Sequence, residues 1–313
     1  MVKSKKIRIA MIGLGDIAQK AYLPIVANHK EITPVLCTRN KYILKELAAQ
    51  YRIDETYANI DELIKHKPDA AMVHSSTASH YVIISKLLHA GISTFVDKPL
   101  CYSINESEEL LNLATQKGVL IYLGFNRRFA PLINQFYNQQ NPIQIFWQKN
   151  RVNLPGSPRV FIFDDFIHVV DSLRYLGNGI VENLQVFSKV KNKNLESIHV
   201  QWQQGETLLN GTMNRISGVT QEYMEYYTNG NKWKIEELTS GVHYKNERKI
   251  SLNFNNWEST LYKRGFVNLF EDWLTTLKID KFNSNQIQDI WETHNLCETI
   301  VVEILKKNKQ MTY

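Results

Sequence analysis

The sequence predicts an α/β protein in two parts: a doubly wound parallel sheet over residues 1–124, then an α+β domain with a large, mostly antiparallel open sheet over 125–313. Three observations predict this. The run IRIAMIGLGDIAQKAYLPIV sets an apolar strand directly against Gly13-Leu14-Gly15-Asp16-Ile17-Ala18 and continues as a helical pattern. Up to Gly124, short apolar runs alternate with helical patterns, the rhythm of βαβ units. Beyond Gly124 come alternating, aromatic-rich stretches without regular helical crossovers, as in an antiparallel sheet covered on one face.

In the first part, strands are predicted at 7–12, 32–37, 70–74, 93–96 and 119–123, with helices at 16–27, 40–50, 59–65, 79–90 and 105–117. The last helix opens on Asn105 with early glutamates, and Gly91 and Gly118 stand where helix C-caps belong. In the second part, strands are predicted at 143–152, 197–203, 206–214 and 221–228. Within 197–203, Ile198, Val200 and Trp202 share one face, and His199, Gln201 and Gln203 the other. Asn229-Gly230 after the last of these strands is a hairpin signal. Helices are predicted at 165–176, 265–278 and 286–307. No repeat or low-complexity linker occurs, so the boundary near 124 is a change of pattern.

At 313 residues the chain has room for two cores, and its 43% hydrophobic and 22% charged residues are ordinary for a globular protein. No apolar run approaches a membrane span, and the N-terminal lysines lead straight into the first strand without a signal-peptide pattern. Cys37, Cys101 and Cys297 are too far apart and too few for a disulfide framework or zinc site, so no metal is expected and the cytoplasm is the expected compartment. The net charge of +6 includes lysines at both ends (Lys3, Lys5, Lys6, Lys306, Lys307, Lys309), which read as solvated termini. No basic stripe with interleaved aromatics and no nucleic-acid motif appears, which argues against nucleic acid as a partner. The basic surface suits attraction of an anionic cofactor.

A strand that becomes a helix through G-x-G-x-x-A is how a Rossmann sheet receives a dinucleotide. Gly13 permits the tight turn, Gly15 lets the backbone approach a pyrophosphate, and the first amides of the helix, at Asp16 and Ile17, point at negative charge. A bare G-x-G is often only a turn; the preceding strand and following helix point to NAD or NADP. An NAD site usually carries Asp or Glu roughly 20 residues beyond the glycines, yet no carboxylate lies between residues 32 and 44. Thr38 offers a hydroxyl and Arg39 a guanidinium that suits a 2′-phosphate, which favours NADP. Arg39 stacked over the adenine would fit either cofactor. Strand 93–96 ends in Asp97-Lys98-Pro99-Leu100, which turns Lys98 toward the ligand crevice at the carboxyl ends of the strands. Further along, Asp164, His168 and Asp171 fall at i, i+4 and i+7 on one helix face, beside an apolar stripe of Ile167, Val170 and Leu173. The plainer alternative makes Asp164 or Asp165 a helix cap and His168 a surface histidine.

These residues resemble the Gfo/Idh/MocA family of NAD(P)-dependent oxidoreductases over nearly the whole chain, and within it the MviM-like oxidoreductases. The resemblance rests on Gly13–Lys20, on His74-Ser75-Ser76-Thr77-Ala78-Ser79-His80, and on Val96-Asp97-Lys98-Pro99-Leu100. It continues in Gly124-Phe125-Asn126-Arg127-Arg128-Phe129-Ala130-Pro131, in Asp164–Asp171, and in Trp257-Glu258-Ser259-Thr260-Leu261 with Arg264-Gly265-Phe266. It implies catalysis by Lys98, of the E-K-P motif with Asp97 in place of the glutamate, and by Asp164 and His168, of the D-x-x-x-H motif. Around the cofactor it implies Ser75, Ser76, His80, Asp97, Lys98, Asn126 and Arg127, besides Gly13, Gly15, Asp16, Ile17, Thr38 and Arg39. The implied substrate is a sugar, polyol or related small polar molecule whose alcohol and carbonyl forms are interconverted.

Two departures stand out. The family's T-P-N reads Ser75-Ser76-Thr77 here, and the glycine two residues before the histidine is Phe166, which would narrow the pocket. An exposed apolar sheet face in the second domain would need cover, so a homodimer or homotetramer is expected. The competing reading is a cofactor-binding sensor or regulator without turnover, since fold does not settle function. A pure binder has no need of the set Lys98, Asp164 and His168.

Overall fold

A computed structural model describes residues 6–137, 139, 141–177, 179–279 and 282–310, the side chains of 309 and 310 excepted. In chain order, β1 (Ile7–Ile12) leads through a π-helical turn (Ala18–Tyr22) into α1 (Leu23–Asn28), β2 (Ile32–Cys37), α2 (Lys41–Tyr51), β3 (Thr56–Tyr57) and α3 (Ile60–Lys65). β4 (Ala70–Val73), α4 (His80–His89), β5 (Ser93–Val96), α5 (Ile104–Lys117) and β6 (Ile121–Leu123) follow. Then come α6 (Pro131–Asn134), β7 (Gln144–Val152), α7 (Pro158–Phe161), a second π-turn (Ile162–Phe166), α8 (Ile167–Gly177), β8 (Val181–Lys191), β9 (Asn194–Gln204) and β10 (Thr207–Ser217). The chain continues with β11 (Gln221–Thr228), β12 (Asn231–Glu236), β13 (Ser240–Lys245), β14 (Arg248–Asn253), α9 (Thr260–Lys263), α10 (Phe266–Ile279) and α11 (Ser284–Gln310).

The contacts divide the chain into two units. Among the described residues, one holds those up to Gly124 together with those of Leu269–Trp291; the other holds those of Phe125–Asn268 and those from Glu292 onward. The segment Leu269–Trp291, assigned from the sequence to the second domain, therefore packs with the first. The reason is aromatic burial: Trp273 sits edge-on to Phe95 at 5.4 Å, Phe270 meets His29 at 5.8 Å, and Tyr122 donates to Asp272 at 2.5 Å.

The first unit's sheet runs β3-β2-β1-β4-β5-β6, and its pairings are all parallel. β4 is buried at every position and β1 at its last four, because helices cover both faces of such a sheet. The second unit's sheet runs β14-β13-β12-β11-β7-β10-β9-β8 and is antiparallel except between β7 and β10. Its inner face buries Trp147, Trp202, Met213 and Tyr226, and α8 is buried at all but Tyr175. The outer face differs from the apolar surface expected of it. Phe146, Tyr223, Phe187 and Leu208 are interspersed there with Gln148, Gln201, Thr212, Asn214 and Glu225, none of them fully buried.

The helix predicted at 165–176 begins earlier, at Pro158, with Ser157 before it, so neither Asp164 nor Asp165 is a cap. Of the terminal lysines, Lys6 is exposed as expected, Lys306 forms an exposed pair with Glu303, and Lys307 departs from a loose tail by donating to the carbonyl of Val186, while Lys3, Lys5 and the side chain of Lys309 lie outside the described residues. Among the described residues no helix is long and apolar enough to cross a membrane, and no group of three His, Cys, Asp or Glu is placed to hold a metal ion. Cys37, Cys101 and Cys297 are buried and free.

Candidate active site and dinucleotide cleft

A cavity of about 860 Å³ opens where the first unit's strand order reverses, at the carboxyl ends of β1, β2 and β4. Gly13, Gly15, Thr38, Arg39, Ser75 and Ser76 all line it. Gly13 is obligatory: its φ is +83°, and a Cβ there would lie 2.6 Å from the backbone of Ser75. Gly15 is different, since a Cβ there would meet nothing within 4 Å. Its bareness leaves open space beside the first turn of the helix, where a pyrophosphate would approach the backbone. Arg39 is exposed and makes no ion pair among the described residues, and no carboxylate lines the cavity. These features fit a dinucleotide, with Arg39 free for its adenosine end.

Other residues assigned to the cofactor are placed differently. Asp16 pairs with Lys20 at 2.7 Å on the exposed helix surface, and neither Asp16 nor Ile17 lines the cavity by its side chain. What they can offer a ligand there is their backbone amides. His80 turns inward at the start of α4: Nδ1 lies 2.9 Å from the carbonyl oxygen of Pro99 and 3.1 Å from that of Leu100, and Nε2 lies 3.0 Å from that of Ser75. It ties the loop after β4 to the loop after β5 and is absent from the cavity lining. Asp97 accepts a hydrogen bond from Tyr22 at 3.1 Å; burial raises its pKa against the opposing pull of Lys98 and Tyr22. Lys98 follows β5 in the loop that His80 holds, and its bond to Pro99 is cis. The Ser75-Ser76-Thr77 segment, which lacks the family's proline, is held by Ser79, whose hydroxyl donates to Ser75 Oγ at 2.9 Å and lies 2.7 Å from the carbonyl of Ser76.

His74 was not foreseen. It lines the cavity, stacks on Tyr22 at 4.3 Å, and is buried with no hydrogen-bond partner for either ring nitrogen among the described residues. Burial, assisted by His80, lowers its pKa to about 3, so the ring is neutral, one nitrogen donating and the other accepting. A buried orphan of this kind calls for a partner that the protein does not supply.

In the second unit, Arg127 does not reach outward as expected of a cofactor ligand. Its guanidinium grips Glu222 through Nε at 2.6 Å and Nη2 at 2.7 Å, and Asn126 donates to the carbonyl of Arg264 at 2.9 Å. Asp164 stands half-buried in the second π-turn and His168 is 9% exposed on the first turn of α8. Asp171, expected on the same polar face, is buried and bound to Arg128 Nε at 2.9 Å and Thr293 at 3.1 Å. The π-turn widens the helix between Ile162 and Phe166 and so departs from the simple i, i+4, i+7 face. Phe166 is fully buried.

Beside Asp164, Asp165 accepts from Lys149 Nζ and from Arg151 Nε at 2.9 Å and Nη2 at 3.1 Å. Burial pushes its pKa up, but Lys149 and Arg151 outweigh burial and hold the carboxyl well below the carboxylate range. Glu222, likewise raised by burial and lowered by Arg127 and Lys149, falls to about 2. Lys149, 3% exposed, is lowered to about 7 by burial and then by Arg127, against Asp165 and Glu222. The sequence did carry a signal for this cluster: the alternation of β7 sets Lys149 on the same inward face as Ile145 and Trp147.

Comparison with known proteins agrees with the fold and the cleft. Residues 7–125 match a family model described as an oxidoreductase family with an NAD-binding Rossmann fold, and residues 133–247 match the YceM-like C-terminal domain. The YceM protein of Salmonella typhimurium is 30% identical over 271 residues, covering 84% of this chain and 87% of its own. A Gfo/Idh/MocA family oxidoreductase from Vibrio cholerae superposes with a TM-score of 0.93 at 36% identity, covering 97% of this chain and 100% of that one. The dehydrogenase MviM from Clostridium difficile gives 0.89 at 30% identity, with 96% and 100% covered.

Proposed function

The chain belongs to the Gfo/Idh/MocA family of oxidoreductases, and from that premise we propose that it interconverts an alcohol and a carbonyl on a sugar, polyol or related small polar molecule. When bound in the cavity of the first unit, NAD(P) supplies or accepts the hydride. The observation that carries the reading is that cavity, shaped by Gly13 and Gly15 and free of carboxylates. Arg39 and Thr38 at its adenosine end favour NADP over NAD.

The chain's own residues have divided roles in this reading. Lys98 hydrogen-bonds the reacting oxygen and stabilises the charge that develops on it as the alcohol is oxidised. His168 takes the alcohol proton, and returns it in the reverse direction, as an imidazole acting as general base and acid. Asp164 orients the imidazole. His80 positions Lys98 through the backbone of Pro99 and Leu100. A homodimer or homotetramer through the outer face of the second sheet completes the proposal, through contacts of mixed aromatic and polar character; sedimentation that finds only monomer contradicts it.

The reading is tested by a screen of sugars and polyols at the reduced-nicotinamide absorbance band, with each cofactor in turn. Turnover is expected with at least one substrate class, with NADPH bound more tightly than NADH. Tighter NADH binding contradicts the assignment of Arg39, and absence of turnover throughout contradicts the reaction.

A further inference from the structure

The polar cluster around Asp165 in the second unit carries more cations than its carboxylates can satisfy. Lys149 and Arg151 from β7 both bind Asp165, and Arg215 from β10 approaches the same carboxylate at 3.5 Å. Glu222 is spent on Arg127 and on the indole N–H of Trp147 at 3.0 Å. Asp164 lies within electrostatic reach of Arg215, and Glu237, within reach of Arg151, is matched by Arg264 at 3.8 Å. With Lys149 protonated, Lys149, Arg127, Arg151 and Arg215 thus outnumber Asp164, Asp165 and Glu222 among the described residues.

The donors are in surplus as well. Arg215 is 6% exposed, and its Nε is buried without a hydrogen-bond partner among the described residues. Arg151 spends Nε and Nη2 on Asp165, has no partner for Nη1 among the described residues, and keeps a side chain 35% exposed. Burying excess positive charge without a counter-ion is costly. The Nη1 end of an arginine at the edge of such a cluster, backed by two further cations, is an arrangement that binds a planar or tetrahedral oxyanion.

We propose that the substrate carries an anionic oxygen group, a carboxylate or a phosphoryl, and that Arg151, backed by Lys149 and Arg215, holds it next to Asp164. This rests on the oxidoreductase reading, because it places the anion in the substrate site of that reaction. It also sets a pH dependence. Lys149 is faced by Arg127 from the segment after β6, Asp165 from the π-turn, Glu222 from β11 and Arg151 from its own strand. Burial first, then Arg127, brings it to about 7 without a ligand, against Asp165 and Glu222. An added anion favours the protonated amine, so binding takes up a proton, and affinity falls as pH rises above about 7.

The test is calorimetric titration of the whole protein, saturated with NADP, by D-glucose, D-glucuronate and D-glucose 6-phosphate. At least one anion should bind about tenfold or more tightly than glucose, as charge-assisted bonds do relative to neutral ones. The anion that binds names the group, carboxylate or phosphoryl. Arg151→Gln should abolish the preference and Arg151→Lys restore part of it, with NADP affinity unchanged in both. Where glucuronate is the anion bound, it should bind more weakly at pH 8.5 than at pH 6.5. Glucose binding as tightly as both anions, or an unchanged preference in Arg151→Gln, overturns the proposal. Turnover measured alongside separates the two readings. Anion preference without any turnover rejects the oxidoreductase reading and supports the anion site. Neutral sugars turned over as fast as their anions reject the anion site and leave the oxidoreductase.

Discussion

At the scale of single residues, the two glycines of the first loop do different work and should fail differently. Gly13→Ala combines a φ of +83° with a Cβ 2.6 Å from the Ser75 backbone, so it should lower the stability of the cofactor-free protein. The strain alone is worth about 1–3 kcal/mol. Gly15→Ala puts its methyl into open space, so thermal melting without cofactor should be unchanged while dinucleotide affinity falls. Equal melting losses in both variants contradict this division. His74 makes a related case. Phe in its place keeps the stack on Tyr22 but offers no nitrogen to a ligand. Because His74 directly follows β4, on the nicotinamide side of the switch point, His74→Phe should weaken NADPH binding and leave binding of 2′,5′-ADP intact. Unchanged NADPH affinity would mean that the orphan nitrogens serve no cofactor.

At the scale of elements, both helices at the candidate sites contain a π-turn, Ala18–Tyr22 and Ile162–Phe166, and each aims a polar side chain: Tyr22 at Asp97, and Asp165 at Lys149 and Arg151. Such turns recur at functional sites because the extra residue redirects the side chains around it. The buried pair of Arg127 and Glu222 closes the same cluster from β11. Glu222→Gln should cost about 3–5 kcal/mol at neutral pH by stranding the guanidinium. The folded pKa of Glu222, about 2, lies below the roughly 4.3 of an unfolded chain. Its contribution is therefore complete above the unfolded value and lost as pH falls toward the folded one. Denaturant unfolding should show the gap between wild type and variant closing below about pH 4; a gap constant across pH contradicts the pairing.

Elements with strong periodicity were legible from the sequence, and those without it were not. β1, β2, β5 and β11 fall where their apolar runs or alternation put them. β8 and β14 are edge strands with mostly exposed side chains, so little alternation marks them. Their hairpin turns, Asn192-Lys193 and Asn246-Glu247, adopt positive φ without glycine and so lack the Asn-Gly signature. The glycine loop was legible because its geometry needs glycine. The roles of His80, Arg127 and Asp165 were not, because each depends on a partner distant in sequence: Pro99, Glu222 and Lys149.

At the scale of the whole molecule, the chain leaves its first unit at Gly124 and returns to it through Leu269–Trp291. A fragment of residues 1–124 would lack Phe270 and Trp273, both fully buried, and would expose the ring of Phe95 that Trp273 covers. It should lack the cooperative thermal transition of the intact chain, as followed by circular dichroism. A fragment that melts cooperatively at the same temperature contradicts the division into units.

In the proposed mechanism this chain turns over its substrate with an acid–base histidine in its second unit, and one comparison decides whether it does. On the substrate that the screen identifies, the rate of nicotinamide absorbance change is measured for the intact protein and for His168→Ala, with cofactor affinity measured in parallel. The expected result is a loss of about 10²–10⁴-fold in turnover with cofactor affinity unchanged. A variant that turns over at the intact rate contradicts it, and leaves His168 a buried histidine of α8 with no part in the chemistry.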